Sequence, residues 1–132
     1  MKITALLTSF LIFSSITFAT LDVVDDIAIA IRSGNAKELS KYFNTNIDLN
    51  IPGNEGVYSK AQAELILKDF FAKHPLKSFS ILHQGSSKDG ARYAIGNLVT
   101  EKGTFRTYFY MKKKSDRYYI HEFSLSVEDE DE

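Results

Sequence analysis

The sequence has no cysteine and no tryptophan among its 132 residues. Without a thiol there is no disulfide, no thiolate zinc site, no cysteine nucleophile and no lipid-modified N-terminal cysteine. Glycine-rich phosphate loops, nucleophile elbows and carboxylate pairs at useful spacing are missing as well. Charge of one sign is lacking too: 16 Lys and Arg stand against 17 Asp and Glu. That balance gives no reason to expect a nucleic-acid partner. Lys112, Lys113, Lys114 and Arg117 do cluster, and they read as a solvated hairpin tip. Long apolar runs are absent, since the stretch from Ile3 to Phe18 is interrupted by Thr4, Thr8, Ser9, Ser14, Ser15 and Thr17. A membrane span needs about 20 strongly apolar residues, so no anchor is expected.

What the first residues do contain is the pattern of a secretory signal peptide. Lys2 supplies the positive start, the apolar run follows, and Thr17-Phe18-Ala19 ends on a small residue suited to cleavage. The expected organisation is a signal peptide over 1–19, one domain over 20–127 and an acidic solvated tail over 128–132. The mature protein is expected to be periplasmic or secreted, and not membrane-bound. A domain of this size buries about two thirds of its unfolded surface and needs no staples.

Val23, Val24, Ile27, Ala28 and Ile31 recur at helical spacing, and Gly34 follows as a helix end. Asn35 with Glu38 opens a second helix whose buried stripe is Ala36, Leu39, Tyr42 and Phe43. Ile47-Asp48-Leu49-Asn50-Ile51 alternates as a strand, with Asp48 outward, and Pro52 to Gly56 turns the chain. Ser59-Lys60-Ala61-Gln62 is a capping box for a third helix that Pro75 stops after His74. Four strands follow, about 77–84, 91–101, 104–114 and 117–127, joined by short loops that favour antiparallel hairpins. The fold class is α+β, with three helices packed on a curved antiparallel sheet in the order ααβαββββ.

This order, with the Ser59–His74 helix ahead of the strands, resembles the cone-shaped nuclear transport factor 2-like fold. More narrowly, Asp69-Phe70-Phe71-Ala72-Lys73-His74-Pro75, the turn from His83 to Gly90 and Thr104-Phe105-Arg106-Thr107-Tyr108-Phe109 resemble small exported Bacteroidetes proteins of unknown function. The resemblance implies a sheet wrapped around helices with an internal cavity. It implies no particular activity, because the superfamily includes isomerases, dehydratases, hydrolases and association domains.

Strand alternation then divides the side chains. With two-residue loops at Lys102-Gly103 and Ser115-Asp116, one face carries His83, Tyr93, Asn97, Tyr108, Tyr110 and His121, with Phe123. Aromatic walls with a few polar groups suit a cavity for a small apolar or aromatic ligand, so this face is assigned inward. The other face carries Leu98, Phe109, Met111, Tyr118 and Ile120, a contiguous apolar patch that a second copy would cover as a homodimer. A non-catalytic binding or association domain is the expected function. The alternative is a small lyase or isomerase using His83 or His121 beside Tyr108 as an acid–base pair. Glu122 is expected on the opposite face, so no carboxylate completes a metal site, and neither metal nor cofactor is expected.

Overall fold

A computed structural model describes residues 22–128, together with Ile12 and Ser15 as isolated positions ahead of them. The rest of the expected signal peptide, and Asp129 to Glu132 of the tail, lie outside the described residues. Helix α1 (Val23–Arg32) starts on a capping box between Asp22 and Asp25 and ends before Gly34, whose φ of 65° needs the freedom of glycine. Helix α2 (Ala36–Ser40) is capped by Asn35, which accepts from the Glu38 N–H at 3.1 Å. Its expected stripe runs past the helix: Tyr42 is half-buried after the end, and Phe43 opens a strand. Helix α3 (Lys60–Lys73) carries the expected Ser59/Gln62 capping box and buries Ala63, Leu67, Phe70 and Phe71. His74 stacks on Phe70 with ring centres 4.0 Å apart, at the cap that Pro75 follows.

The strands are β1 (Phe43–Ile51), β2 (Asn54–Ser59), β3 (Leu76–Ser86), β4 (Arg92–Thr100), β5 (Gly103–Lys114) and β6 (Arg117–Val127). They form one sheet in the order β2-β1-β6-β5-β4-β3. Two expectations are corrected. The element order is ααββαββββ, because the turn narrows to Pro52-Gly53 and the chain pairs straight back, Ile51 against Asn54. Asn54-Glu55-Gly56 has little strand propensity, so pairing to β1, not local preference, makes β2 a strand. The sheet is also mixed, because β1 runs parallel to β6, with Asp48 beside Glu122 and Leu49 beside Phe123. Register shifts in β3 and between β5 and β6 interrupt the ladders, and such bulges bend strands.

Helices α1, α2 and α3 cover one face of the sheet. Ile47, Leu49 and Ile51 from β1 meet Ala94 and Leu98 from β4, Phe105, Phe109 and Met111 from β5, and Ile120, Phe123 and Leu125 from β6. The sheet-face assignment is therefore inverted. Leu98, Phe109, Met111 and Ile120 are each 0 % exposed and belong to the core, not to a dimer face. Tyr118 packs against the same core under the Arg92 guanidinium, 5.4 Å from its ring centre. Both faces are rich in apolar residues, so alternation alone could not say which one the helices choose. Gly96 faces inward, where an added Cβ would lie 2.9 Å from the Phe79 ring and 2.5 Å from the Ser80 carbonyl oxygen.

Candidate functional site

The outer face of the sheet, turned away from the helices, gathers His83, Tyr93, Asn97, Tyr108, Tyr110 and His121 from the set assigned above to the cavity, whereas Phe123 of that set lies in the core. Across β4 and β5, Tyr93 pairs with Tyr110, Ile95 with Tyr108 and Asn97 with Arg106. These pairs sit two residues from the expected registration, because Thr100 pairs with Gly103 and the turn is Glu101-Lys102. A shift of two preserves the face. Tyr93, Ile95, Asn97, Val99, Tyr108, Tyr110, Tyr119 and His121 are all half-buried there, while His83 is exposed. They line an open sheet face. The space where an internal cavity was expected holds Phe43, Phe70, Phe71, Phe79, Phe105, Phe109 and Phe123, none more than 7 % exposed. The small-ligand pocket is corrected accordingly: phenylalanine fills the inside and tyrosine lies outside.

His121 is the extra residue of the bulge between β5 and β6, where Met111 pairs with Ile120 but Tyr110 with Glu122. The bulge reverses the alternation beyond it. Phe123 moves into the core, and Glu122, expected on the other face, stands exposed beside Tyr110. There it joins Asp48, Asn50, Glu55, Tyr108 and Ser124 around a shallow depression of about 250 Å³. Burial, and then the Glu122 carboxylate, raise the Tyr108 hydroxyl above its usual value. Burial, and then Lys112, lower the His121 imidazole. Asp48 and Glu122 are like charges directly opposite each other, an unfavourable pairing in a sheet. Neither takes part in the three ion pairs found among the described residues.

The expected acid–base arrangement is not assembled. The His83 imidazole is hydrogen-bonded to the Tyr93 hydroxyl at 2.9 Å. Strand β4 separates it from Tyr108 on β5, and among the described residues no hydrogen bond joins Tyr108 to either imidazole. His83, Tyr108 and His121 share a face without converging on one point. No group of three metal-ligating side chains occurs among the described residues.

The family model described as Domain of unknown function (DUF4783) matches residues 24–126. The chain belongs to the DUF4783 family. It is 33 % identical to a DUF4783 protein of known structure from Bacteroides uniformis, over 83 % of this chain and 100 % of that one, with a TM-score of 0.77. A second, from Bacteroides ovatus, is 30 % identical over 80 % of this chain and 94 % of that one, with a TM-score of 0.75. A nuclear transport factor 2-like protein of unknown function from Cytophaga hutchinsonii is only 11 % identical. It still superimposes over 85 % of this chain and 95 % of that one, with a TM-score of 0.56. This DUF4783 domain thus has the nuclear transport factor 2-like fold. No curated protein matches the sequence.

Sequence reasoning missed the inner hydroxyl of this DUF4783 domain. Thr107 is 0 % exposed, and its Oγ1 has no hydrogen-bond partner among the described residues. It also missed the Arg92–Asp22 ion pair, which ties the start of α1 to β4 across 70 residues. A long separation with no motif gives no sequence signal for such a contact.

Proposed function

We propose that this chain is an exported, non-catalytic association domain that pairs with a second copy of itself through the outer face of its sheet. The observation that carries the reading is the tyrosine belt. Tyr93, Tyr108, Tyr110 and Tyr119, with Ile95 and Val99, stand half-buried on a face that no helix among the described residues covers. A sheet with one face in water should be polar there. Tyrosine suits a surface that is sometimes wet and sometimes covered, since its ring packs and its hydroxyl bonds.

A second copy fits better than an unrelated partner because the face carries both signs of charge. Arg106 and Lys112 lie on β5, whereas Asp48, Glu55 and Glu122 lie toward the β1 and β2 edge. A face that holds both complements can match itself across a two-fold axis. Its size also suffices. Six strands spaced about 4.8 Å apart and about 30 Å long offer roughly 700 Å² per copy. That gives about 1,400 Å² in a pair, within the range of specific interfaces.

Sedimentation of the purified chain tests the reading. A dimer is expected, and Tyr110→Lys should yield a folded monomer with an unchanged circular-dichroism spectrum. A monomer at high concentration, or a Tyr110→Lys variant that stays dimeric, would refute it. Export rests separately on the Lys2-to-Ala19 pattern. The protein recovered from the producing cell should begin near Thr20, and an intact Met1 in the cytoplasm would end that part of the proposal.

A further inference from the structure

The ladder between β1 and β6 breaks near the β5–β6 hairpin. Its register jumps from Phe43–Ile120 to Asp48–Glu122, so Asn44 to Ile47 stand against His121 alone. The β1–β2 pairs begin only at Asn46–Ser59, which leaves Asn44 and Thr45 without a partner in either register. At this break a cleft of about 200 Å³ opens between β1, the start of α3 and the hairpin tip.

Every polar side chain that lines the cleft can donate a hydrogen bond. Lys60 is the first residue of α3, Lys114 ends β5, Ser115 opens the turn, and Asn44 and Thr45 belong to β1. Among the described residues no carboxylate lines it, and neither lysine takes part in an ion pair. Asp116 follows Ser115 in the turn but is not in the lining. The other hairpin lysines are held over other rings. Lys112 lies 5.8 Å from the Tyr110 ring centre, with Asp89 nearby, and Lys113 lies 5.9 Å from that of Tyr118. Arg117 stands 6.0 Å from the ring centre of Tyr119, the cleft's aromatic wall.

Two features of the backbone support the same polarity. Helices α1 and α2 carry Asp25, Asp26 and Glu38 in their first turns, whereas α3 has no acid there and opens on Lys60. A cation at that end is set against the helix dipole, a cost that a bound anion would offset. The hairpin turn is tight, with Ser115 and Asp116 both left-handed at φ 50° and 63°. Such a two-residue turn holds Lys114 and Ser115 in a fixed position relative to β6.

We infer that this cleft binds a phosphate monoester whose organic part is small, flat and apolar. Lysine is a compact point charge that suits a tetrahedral oxyanion, whereas a planar carboxylate favours the fork of arginine. Two ammonium groups match the charge of about −1.5 to −2 that a phosphate monoester carries at neutral pH. A sulfate ester brings one charge and leaves one lysine unmatched. The hydroxyls of Thr45 and Ser115 supply neutral donors, and Tyr119 with the buried Phe43 supplies a wall for the ester group. The cleft is too small for a drug-sized ligand, whose pockets span about 300–1,000 Å³. One copy of the chain provides the whole lining, so the site stands apart from the pairing proposed above.

Titration of the isotope-labelled chain with phenyl phosphate, inorganic phosphate and phenyl sulfate, followed by amide chemical shifts at low salt, tests the site. Phenyl phosphate should saturate, moving the Thr45, Ser115 and Tyr119 signals, and should bind about tenfold more tightly than inorganic phosphate. Phenyl sulfate should bind about tenfold more weakly than phenyl phosphate. Lys60→Gln and Lys114→Gln, both at exposed positions, should each weaken phenyl phosphate about tenfold. Lys113→Gln removes the same charge from the same hairpin, outside the cleft, and should change nothing. Tyr119→Ala should abolish the advantage of phenyl phosphate over inorganic phosphate and leave inorganic phosphate unaffected. Absence of saturable binding would overturn the site. So would equal losses in Lys113→Gln and Lys114→Gln, which would mean diffuse attraction to a basic tip. Phenyl sulfate binding as tightly as phenyl phosphate would overturn the phosphate assignment, and a Tyr119→Ala variant that keeps the phenyl preference would overturn the wall.

Discussion

The two faces of the sheet both carry aromatic side chains and behave differently. All seven phenylalanines of residues 22–128 are buried, mostly between sheet and helices. All seven tyrosines are half-buried, and four of them lie on the outer face. A hydroxyl costs about 1–3 kcal/mol to bury without a partner, so the two residue types sort by what covers them. When hydropathy alternates weakly on both faces, the choice of Phe or Tyr is the better guide to which face is sealed. Here it separates a finished core from a surface that still expects contact.

The largest expected effects come from breaking the sealed side. Phe109→Ala should cost about 3–5 kcal/mol by leaving a cavity that the packed neighbours cannot fill. Tyr110→Ala, one residue along and facing out, should change the stability of an isolated copy by less than about 1 kcal/mol. Urea unfolding of the two variants, with Tyr110→Ala measured at high dilution, makes the test. Equal losses would mean that the outer face is as much a core as the inner one.

The next effect is one of crowding. Gly96→Ala keeps the backbone conformation but drives a methyl into the Ser80 carbonyl oxygen and the Phe79 ring, at 2.5 and 2.9 Å. Backbone cannot step aside as a side chain can, so a loss of about 1–3 kcal/mol is expected. A stable Gly96→Ala protein with unaltered Phe79 packing would show that the β3–β4 approach is looser than described.

The order of elements was legible where local chemistry decides it. The caps at Asn35 and Ser59, Gly34, Pro75 and the hairpin loop at Ser115-Asp116 each act on a few neighbouring residues, and each appears where the sequence placed it. Strand β2 and the parallel contact of β1 with β6 were not legible, because they are made by pairing with segments distant in sequence. The site was half legible. Tyr93, Asn97, Tyr108 and Tyr110 do share a face, since a register error of two residues preserves parity, and His83 joins them through the register shift that follows Ile81. The bulge at His121, which sends Phe123 inward and Glu122 outward, leaves no mark in the alternation. Which face the helices cover was not legible, because both faces are rich in apolar residues.

Thr107 is the exception on the sealed side, and removing it should sharpen the contrast. Its hydroxyl is buried without a partner between Gly96 on β4 and Leu125 on β6. Thr107→Val keeps the shape and replaces the hydroxyl by a methyl. A gain of about 1 kcal/mol is expected, where most core substitutions lose stability. A clear loss in the urea midpoint would mean that the hydroxyl has a partner, such as a buried water.

The smallest effect should come from the rim, where the two faces meet and neither burial nor covering is complete. Arg92 reaches Asp22 with both terminal nitrogens, one of them 2.6 Å from the Asp22 Oδ1. That hydrogen bond first, and the guanidinium charge after desolvation, hold the Asp22 carboxyl below its ordinary 3.8. The folded state therefore binds this proton less readily than the unfolded chain. The pair's contribution is fully present above pH 3.8 and is lost as pH falls through the lower folded value. The Asp22 side chain is 45 % exposed, so solvent screens the pair and its worth is about 0.5 kcal/mol. Asp22→Asn isolates that worth, because asparagine still caps α1. The variant should be slightly less stable than the parent near neutrality. At acid pH, once the Asp22 carboxyl is protonated in the folded parent as well, the gap should close. A gap of the same size at both pH values would show that the cap or the packing of Arg92, and not the charge on Asp22, joins α1 to the sheet.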